Sequence, residues 1–263
     1  MNYKEIVKEV LLTEAKEIEK AAAKISFDIE KAIDLIINSK GKLIVTGVGK
    51  SGLVGTKIAA TLASTGTSSF FLHPTEAMHG DLGMIGKDDI VLGISYSGES
   101  EELVQILPHL KRFNIPLIAM ARNEKSTLAT YSDVFININV DKEACPLDTA
   151  PTSSTTLTMA MGDALAVCLM KKRDFKKEDF ASFHPGGSLG KKLFIKVDDL
   201  LRKENLPVVS RGTILKDAII IMSQGRLGSV IITDENGKVF ALLSDGDLRR
   251  ALMNENFSMD CKV

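Results

Sequence analysis

The chain has 263 residues, enough for one large α/β domain and a smaller one, since domains usually hold roughly 100–200 residues. Its 33 basic and 34 acidic residues nearly cancel, only 5% of its residues are aromatic, and tryptophan is absent. This composition argues against a nucleic-acid partner, because it supplies neither a basic surface for phosphates nor an aromatic platform for single strands.

The hydropathy pattern predicts neither a membrane span nor a signal peptide. No uninterrupted apolar run approaches the roughly 18–20 residues that cross a bilayer, and charged and apolar side chains alternate up to Lys20. The 3 cysteines, Cys145, Cys168 and Cys261, are widely spaced and odd in number. Such cysteines are typical of reduced thiols, so we expect a cytoplasmic protein with no membrane partner.

Helical and strand patterns alternate along the first three quarters of the chain. Apolar residues at helical spacing from Ile6 to Ile37 predict one long amphipathic helix or two. Continuously apolar strands are predicted at 42–46, 69–72, 90–95, 116–120 and 134–138, with helices between them that include 101–112 and 154–170. Buried strands separated by helices indicate an α/β fold whose parallel sheet is covered on both faces.

After about Leu193 the pattern changes to that of a small α+β module. Residues 197–207 are polar and predict a linker, followed by a helix at 213–222, strands at 229–233 and 239–243, and a helix from Ser244. Ser244 and Asp247 have the spacing of a capping box. A module of this size is marginally stable alone, so we expect it to pack against another copy.

The first motif with chemical content is the glycine turn (residues 47–52, Gly-Val-Gly-Lys-Ser-Gly), which follows a predicted strand and opens a helix. It matches a dinucleotide fingerprint formally, but the next strand ends at Leu72-His73-Pro74 without the required acid, so no nicotinamide cofactor is expected. A P-loop would need glycine in place of Ile44. Two alternatives remain: a turn whose amides and Lys50 face a small anion, or a plain strand-to-helix turn.

The second motif is the serine loop (residues 95–100, Ser-Tyr-Ser-Gly-Glu-Ser), again between a predicted strand and a helix. Hydroxyl groups and free amides at a helix N-terminus suit a phosphate without any metal. The alternative is that Ser97 or Ser100 merely caps the helix. A third hydroxyl cluster, at 152–156, also leads into a predicted helix and would complete such a site.

Further motifs occur at 73–83, 142–147 and 182–190. Taken in their order along the chain, all these motifs resemble those of the sugar isomerase (SIS) family, and within it those of the arabinose-5-phosphate isomerases. Those enzymes interconvert D-ribulose 5-phosphate and D-arabinose 5-phosphate on the way to Kdo. The resemblance implies a three-layer, flavodoxin-like SIS domain over residues 1–196. It also implies a CBS region at 207–263, where we expect only the first of the family's two CBS motifs.

The resemblance points to Lys50, Glu102, Glu143 and His184 as the catalytic residues of an aldose–ketose isomerisation through an enediol. Glu143 would transfer the proton, His184 would move protons between sugar oxygens or open the ring, and Lys50 would stabilise the enediolate or bind phosphate. Glu102 would orient a hydroxyl or act as a second acid/base. Each has a simpler alternative, such as a favourable first-turn position for Glu102 or a surface ion pair for Glu143.

The substrate would be a pentose phosphate. The expected substrate- and phosphate-binding residues are Gly49, Ser51, His79, Ser95, Ser97, Ser100, Thr152 and Ser153. No cofactor and no catalytic metal are expected, although the spacing of His73, Glu76 and His79 makes His79 a candidate ligand for inhibitory Zn²⁺.

The resemblance further implies a homotetramer in which His184 serves a neighbouring subunit. The chain departs from the family pattern at Tyr96 and at Asp148-Thr149, and we expect neither departure to touch the chemistry. Two alternatives stay open: a non-catalytic phosphosugar sensor, and an isomerase for another phosphosugar.

Overall fold

A computed structural model describes residues 1–255 and 257–263, without the side chains at 188, 189 and 194. The described chain forms two compact units, Met1–Phe194 and Ile195–Val263.

The larger unit is built on a five-stranded sheet in the order β2-β1-β3-β4-β5, in which every neighbouring pair is parallel. The strands are β1 Leu43–Gly47, β2 Ser69–Phe71, β3 Ile90–Ile94, β4 Leu117–Ala121 and β5 Val134–Asn137. The predicted parallel sheet is therefore confirmed, and each predicted strand differs by at most one residue at either end. The strand order reverses between β1 and β3, which is where sheets of this kind bind ligands.

Helices cover both faces of the sheet. They are α1 Tyr3–Ala22, α2 Asp28–Asn38, α3 Gly49–Ser64, α4 Pro74–Met78, α5 Glu101–Arg112, α6 Thr127–Tyr131, α7 Ser153–Lys172, α8 Lys177–Phe183 and α9 Ser188–Phe194. The alternation of strand side chains divides the core in two: Leu92 packs in a cluster with α2, α3 and α7, and Val91 in a cluster with α4, α5 and α6. These are the three layers that the resemblance implies.

The helix α7 is the one helix of the described ranges that is long and apolar enough to cross a membrane. Half of its apolar window is buried inside the domain, where Leu157, Leu165 and Leu169 pack in the core. A core helix of a globular domain satisfies the same length and composition criterion as a membrane span.

The helices α3 and α7 pack closely side by side. A Cβ atom at Gly162 of α7 would overlap the side chain of Ile58 on α3, so glycine is required for this approach. Beside this contact, Lys57 forms an ion pair with Asp163. The two helices are thereby held together near their middles.

The smaller unit has a three-stranded sheet in the order β6-β7-β8, formed by β6 Val208–Ser210, β7 Ser229–Thr233 and β8 Val239–Ser244. Its helices are α10 Val197–Leu200, α11 Leu215–Gly225 and α12 Asp245–Ala251. The linker prediction is wrong over α10, and β6 was not predicted, because both are too short to show a periodic pattern. The capping box of Ser244 and Asp247 is present at the start of α12.

We expect Gly52→Ala to lower the free energy of unfolding by about 1–3 kcal/mol, because a Cβ atom there would lie 2.7 Å from the carbonyl oxygen of Gly47, which ends β1. Gly83→Ala is the matched control, since a Cβ atom at that position meets nothing within 4 Å. Urea denaturation of the two variants measures the difference. Equal stabilities would contradict this account of how α3 abuts the sheet.

Candidate active site

A cavity of about 620 Å³ opens at the carboxyl ends of the parallel strands. Its walls come from the segments that follow β1, β3, β4 and β5 and from the first turns of α7. The lining residues are Val48, Lys50, Ser51, Val54, Ser95, Tyr96, Ser97, Ser100, Arg122, Asn139, Val140, Asp141, Lys142, Glu143, Asp148, Thr149, Pro151, Ser154, Thr155 and Thr158. The glycine turn, the serine loop and the 152–156 cluster therefore contribute to one site.

Three helices, α3, α5 and α7, begin at this cavity. Within residues 1–255 and 257–263, no side chain of their N-cap residues Val48, Ser100 and Thr152 caps their first turns. The first amides of a helix have no partner inside the helix, and its dipole makes this end positive. The cavity therefore suits an anion.

The serine loop is organised around Ser95, which is only 1% exposed. The Oγ atoms of Ser95 and Ser100 lie 2.9 Å apart, and Ser95 Oγ also accepts a hydrogen bond of 3.1 Å from the Gly98 amide. Ser97 Oγ accepts a hydrogen bond from the Glu99 amide. Ser100 occupies the N-cap position of α5 without capping it, so the simpler capping alternative does not describe this loop.

The carboxylate of Glu143 lies at the N-terminus of α7 and is 9% exposed. Its Oε2 atom accepts hydrogen bonds from the Thr152 amide and hydroxyl, both at 2.8 Å, and from the Ser154 amide at 3.2 Å. Burial by itself raises the pKa of this carboxyl group, but the hydrogen bonds from Ser154 and Thr152 outweigh burial and hold the pKa below its usual value of 4.5. Glu143 is therefore an ionised carboxylate that accepts hydrogen bonds from the amides at the start of α7.

Cationic side chains complete the electrostatics of the cavity. Lys50 lies in the first turn of α3, and Arg122 follows β4 with its guanidinium 5.6 Å from the centre of the Tyr96 ring. Neither forms an ion pair in the part of the chain that the structure describes. Both charges are thus available to an anionic ligand.

A network built on the buried Glu17 links the segment before Glu143 to α1. Glu17 is 4% exposed, and its Oε2 atom accepts a hydrogen bond of 2.7 Å from the Asp141 amide. Lys20 bridges the Glu17 and Asp141 carboxylates at 2.7 and 2.8 Å. The side-chain hydrogen bond to Lys20 is the main reason that the pKa of Asp141 is lowered. The chain on the N-terminal side of Glu143 is therefore fixed.

Several predicted site residues lie at the cavity and others do not. The predicted residues that line it are Lys50, Ser51, Ser95, Ser97, Ser100 and Glu143. Thr152 contacts Glu143 directly, whereas Gly49, with a φ of 59°, lines a smaller pocket that also contains Lys50 and His73. The Ser153 hydroxyl is fully buried without a hydrogen-bond partner among the described residues.

Glu102, His79 and His184 do not line the cavity of this chain. Glu102 is exposed in the first turn of α5, and His79 is exposed at the end of α4. The ring of His184 stacks on Phe180 with centroids 4.0 Å apart, and its Nδ1 atom lies 2.8 Å from the Phe180 carbonyl oxygen. Because a carbonyl oxygen only accepts, this hydrogen bond places a proton on Nδ1, and Nε2 has no hydrogen-bond partner among the described residues.

The described side chains at 73–79 do not form a cluster of three metal ligands. The Nδ1 atom of His73 accepts a hydrogen bond from the Thr75 amide and so caps α4. Across the described residues, no three His, Cys, Asp or Glu side chains come close enough together to hold a metal ion.

Sequence reasoning missed Arg122 and misjudged the two departures from the family pattern. Tyr96 and Asp148 both line the cavity, and Asp148 accepts a hydrogen bond from the Glu143 amide, so the expectation that neither departure touches the chemistry is wrong. The position of Arg122 directly after a buried strand was the available signal, because side chains at the carboxyl ends of parallel strands meet at one edge of the sheet.

Family models match most of the chain. The SIS domain model matches residues 35–168 and the CBS domain model matches residues 197–254. The chain therefore belongs to the SIS domain family.

Within this family the chain is similar to arabinose 5-phosphate isomerases. It is 52% identical over 236 residues to the arabinose 5-phosphate isomerase KdsD of Pseudomonas aeruginosa, which covers 89% of this chain and 72% of the relative. It is 46% identical over 252 residues to a probable arabinose 5-phosphate isomerase of Haemophilus influenzae, covering 96% of this chain and 74% of the relative. These relatives confirm the resemblance found in the sequence.

A solved structure agrees with this assignment. A protein of Escherichia coli CFT073, in complex with arabinose 5-phosphate, matches with a TM-score of 0.69 and 41% sequence identity. The match covers 70% of this chain and 100% of that chain.

We expect Glu143→Gln to remove a contribution to stability that depends on pH. Because the folded state lowers the pKa of Glu143, its carboxylate stabilises the fold above the usual value of 4.5, and this contribution is lost as pH falls through the lowered pKa. Urea denaturation at pH 7 and at decreasing pH measures it in both proteins. The stability difference should shrink on acidification, and a difference independent of pH would contradict the assigned hydrogen bonds.

Proposed function

We propose that this chain is an aldose–ketose isomerase that interconverts D-ribulose 5-phosphate and D-arabinose 5-phosphate. The observation that carries the proposal is that one cavity pairs the ionised Glu143 with the serine loop at the uncapped start of α5. The similarity to proteins named arabinose 5-phosphate isomerase selects the substrate.

The serine loop and the first amides of α5 bind the phosphate. Ser95, Ser97 and Ser100 present hydroxyl groups there, and the dipole of a twelve-residue helix favours the negative charge. Lys50 and Arg122 add positive charge from neighbouring strand ends. The phosphate is therefore held without a metal ion.

Glu143 transfers the proton between C1 and C2. It removes a proton from C1 of the open-chain ketose, which moves the electron pair into an enediolate with negative charge on the C2 oxygen. Return of the proton to C2 and transfer of the hydroxyl proton from the C1 oxygen to the C2 oxygen complete the aldose. Lys50 stabilises the enediolate oxygen, and Glu102 orients a sugar hydroxyl or acts as the second acid/base.

His184 acts in the site of a neighbouring subunit of a homotetramer. It lies outside the cavity of its own chain, while its Nε2 atom is free to exchange a proton with a sugar oxygen. An apolar stripe on α1 supports self-association, because Tyr3, Ile6, Val7 and Leu11 are 44–72% exposed in the single chain.

The enzyme works in the cytoplasm and supplies arabinose 5-phosphate for Kdo. Its cysteines are free thiols, as is usual in a reducing compartment. The isomerase domain occupies residues 1–196, and a CBS motif occupies residues 207–263.

Purified enzyme in EDTA should convert ribulose 5-phosphate to arabinose 5-phosphate. Glu143→Gln should lower kcat by about 10²–10⁴-fold, because the amide cannot accept the proton. Glu235→Gln is a matched control, since Glu235 is exposed in the turn between β7 and β8 of the smaller unit. A coupled assay of arabinose 5-phosphate measures both.

Two results would contradict this proposal. Tight binding of arabinose 5-phosphate by calorimetry without turnover would favour the phosphosugar sensor. Turnover of another phosphosugar in preference to ribulose 5-phosphate would favour an isomerase of different specificity.

Subunit exchange tests the role of His184. Homotetramers of Glu143→Gln and of His184→Ala should each be inactive, but mixed tetramers should regain part of the activity, because some sites combine Glu143 of one subunit with His184 of another. Co-expression with two affinity tags, followed by the same assay, measures the recovery. Mixed tetramers as inactive as the parents would place His184 in its own subunit's site or outside catalysis.

A further inference from the structure

We infer that Asp148 is a positioning residue for Glu143, an inference that rests on the proposed function. Asp148 lies in the segment between β5 and α7, at the rim of the cavity. Its Oδ1 atom accepts a hydrogen bond of 2.8 Å from the Glu143 amide. Its own amide donates a hydrogen bond of 2.9 Å to the Cys145 carbonyl oxygen. Asp148 thus closes residues 143–148 into a loop whose first residue is the base.

The backbone of Asp148 is in the left-handed region, with a φ of 49°. Residues other than glycine rarely adopt this conformation, although aspartate and asparagine tolerate it better than most. Such a conformation persists only where the surroundings fix it, and it occurs often at functional sites. Here it turns the chain so that the carboxylate of Asp148 faces the Glu143 amide.

A second hydrogen bond fixes the main chain one residue further along, at Ala144. Thr152 Oγ1 accepts a hydrogen bond of 2.8 Å from the Ala144 amide and donates one of 2.8 Å to Glu143 Oε2. The main chain around Glu143 is thereby fixed by Asp148 and by Thr152, and the side chain by the start of α7. Of these anchors, Asp148 is the one that holds the residue's own amide.

The position of the main chain at Glu143 controls the pKa of its carboxyl group. The hydrogen bonds that keep Glu143 ionised run to groups fixed on α7, so a displaced main chain lengthens them. The other charged and titratable groups that line the cavity around Glu143 are Lys50, Tyr96, Arg122, Asp141 and Lys142. None of these contacts the Glu143 amide among the described hydrogen bonds, which makes Asp148 separable from them.

Two substitutions separate the hydrogen bond from the charge and from the backbone conformation. Asp148→Asn keeps an acceptor oxygen and tolerates a positive φ, whereas Asp148→Gly adopts the same φ without strain and removes the acceptor. We expect Asp148→Asn to stay within about twofold of wild-type kcat. We expect Asp148→Gly to lose about tenfold in kcat with KM nearly unchanged, as for one lost hydrogen bond.

The pKa of Glu143 gives a readout that does not depend on turnover. Carboxyl-detected NMR titration, with Glu143→Gln for assignment, should show this pKa rising towards 4.5 in Asp148→Gly and unchanged in Asp148→Asn. The inference is overturned if Asp148→Gly matches the wild type in pKa and kcat, or if Asp148→Asn falls as far as Asp148→Gly. A wild type without isomerase activity would instead overturn the proposed function, and the titration alone would then decide the role of Asp148.

Discussion

The parallel direction of all strands in the larger sheet is the constraint on which the site depends. It brings the ends of β1, β3, β4 and β5 to one edge, and the helices α3 and α5 begin at that edge. Residues as distant in sequence as Lys50, Ser97, Arg122 and Glu143 therefore line one cavity. The reversal of strand order between β1 and β3 opens the space between the glycine turn and the serine loop.

Within this frame the helix ends have different partners. The first amides of α7 are taken by Glu143, a carboxylate of the protein itself, whereas α3 and α5 begin without a side-chain cap in the described structure. One helix end therefore keeps a base ionised, and the others can receive the anionic group of a ligand. A phosphosugar has its phosphate and its carbonyl at opposite ends, so it can satisfy both at once.

The sequence predicted β1, β3 and β4 well because each is a short apolar run buried on both faces, as at Val91 and Leu92. The serine loop came from a local motif and Glu143 from the family resemblance, and both line the cavity. Long-range contacts could not be predicted, because no local pattern links Glu17 to Asp141 or places Arg122 over Tyr96. The role of Asp148 depends on a positive φ and on a hydrogen bond that closes a loop, and neither leaves a periodic signal.

The close contact of Gly162 with Ile58 and the ion pair of Lys57 with Asp163 join α3 to α7 near the middle of each helix. Lys50 begins one of these helices, and Thr152 and Ser154, which hold Glu143, begin the other. The separation between the Lys50 ammonium group and the Glu143 carboxylate is thus set by helix packing and does not depend on a bound sugar. If Glu143 is the base, as proposed, a longer or shorter carbon chain presents a different carbon to it, and selection for chain length then follows from the spacing of two helices.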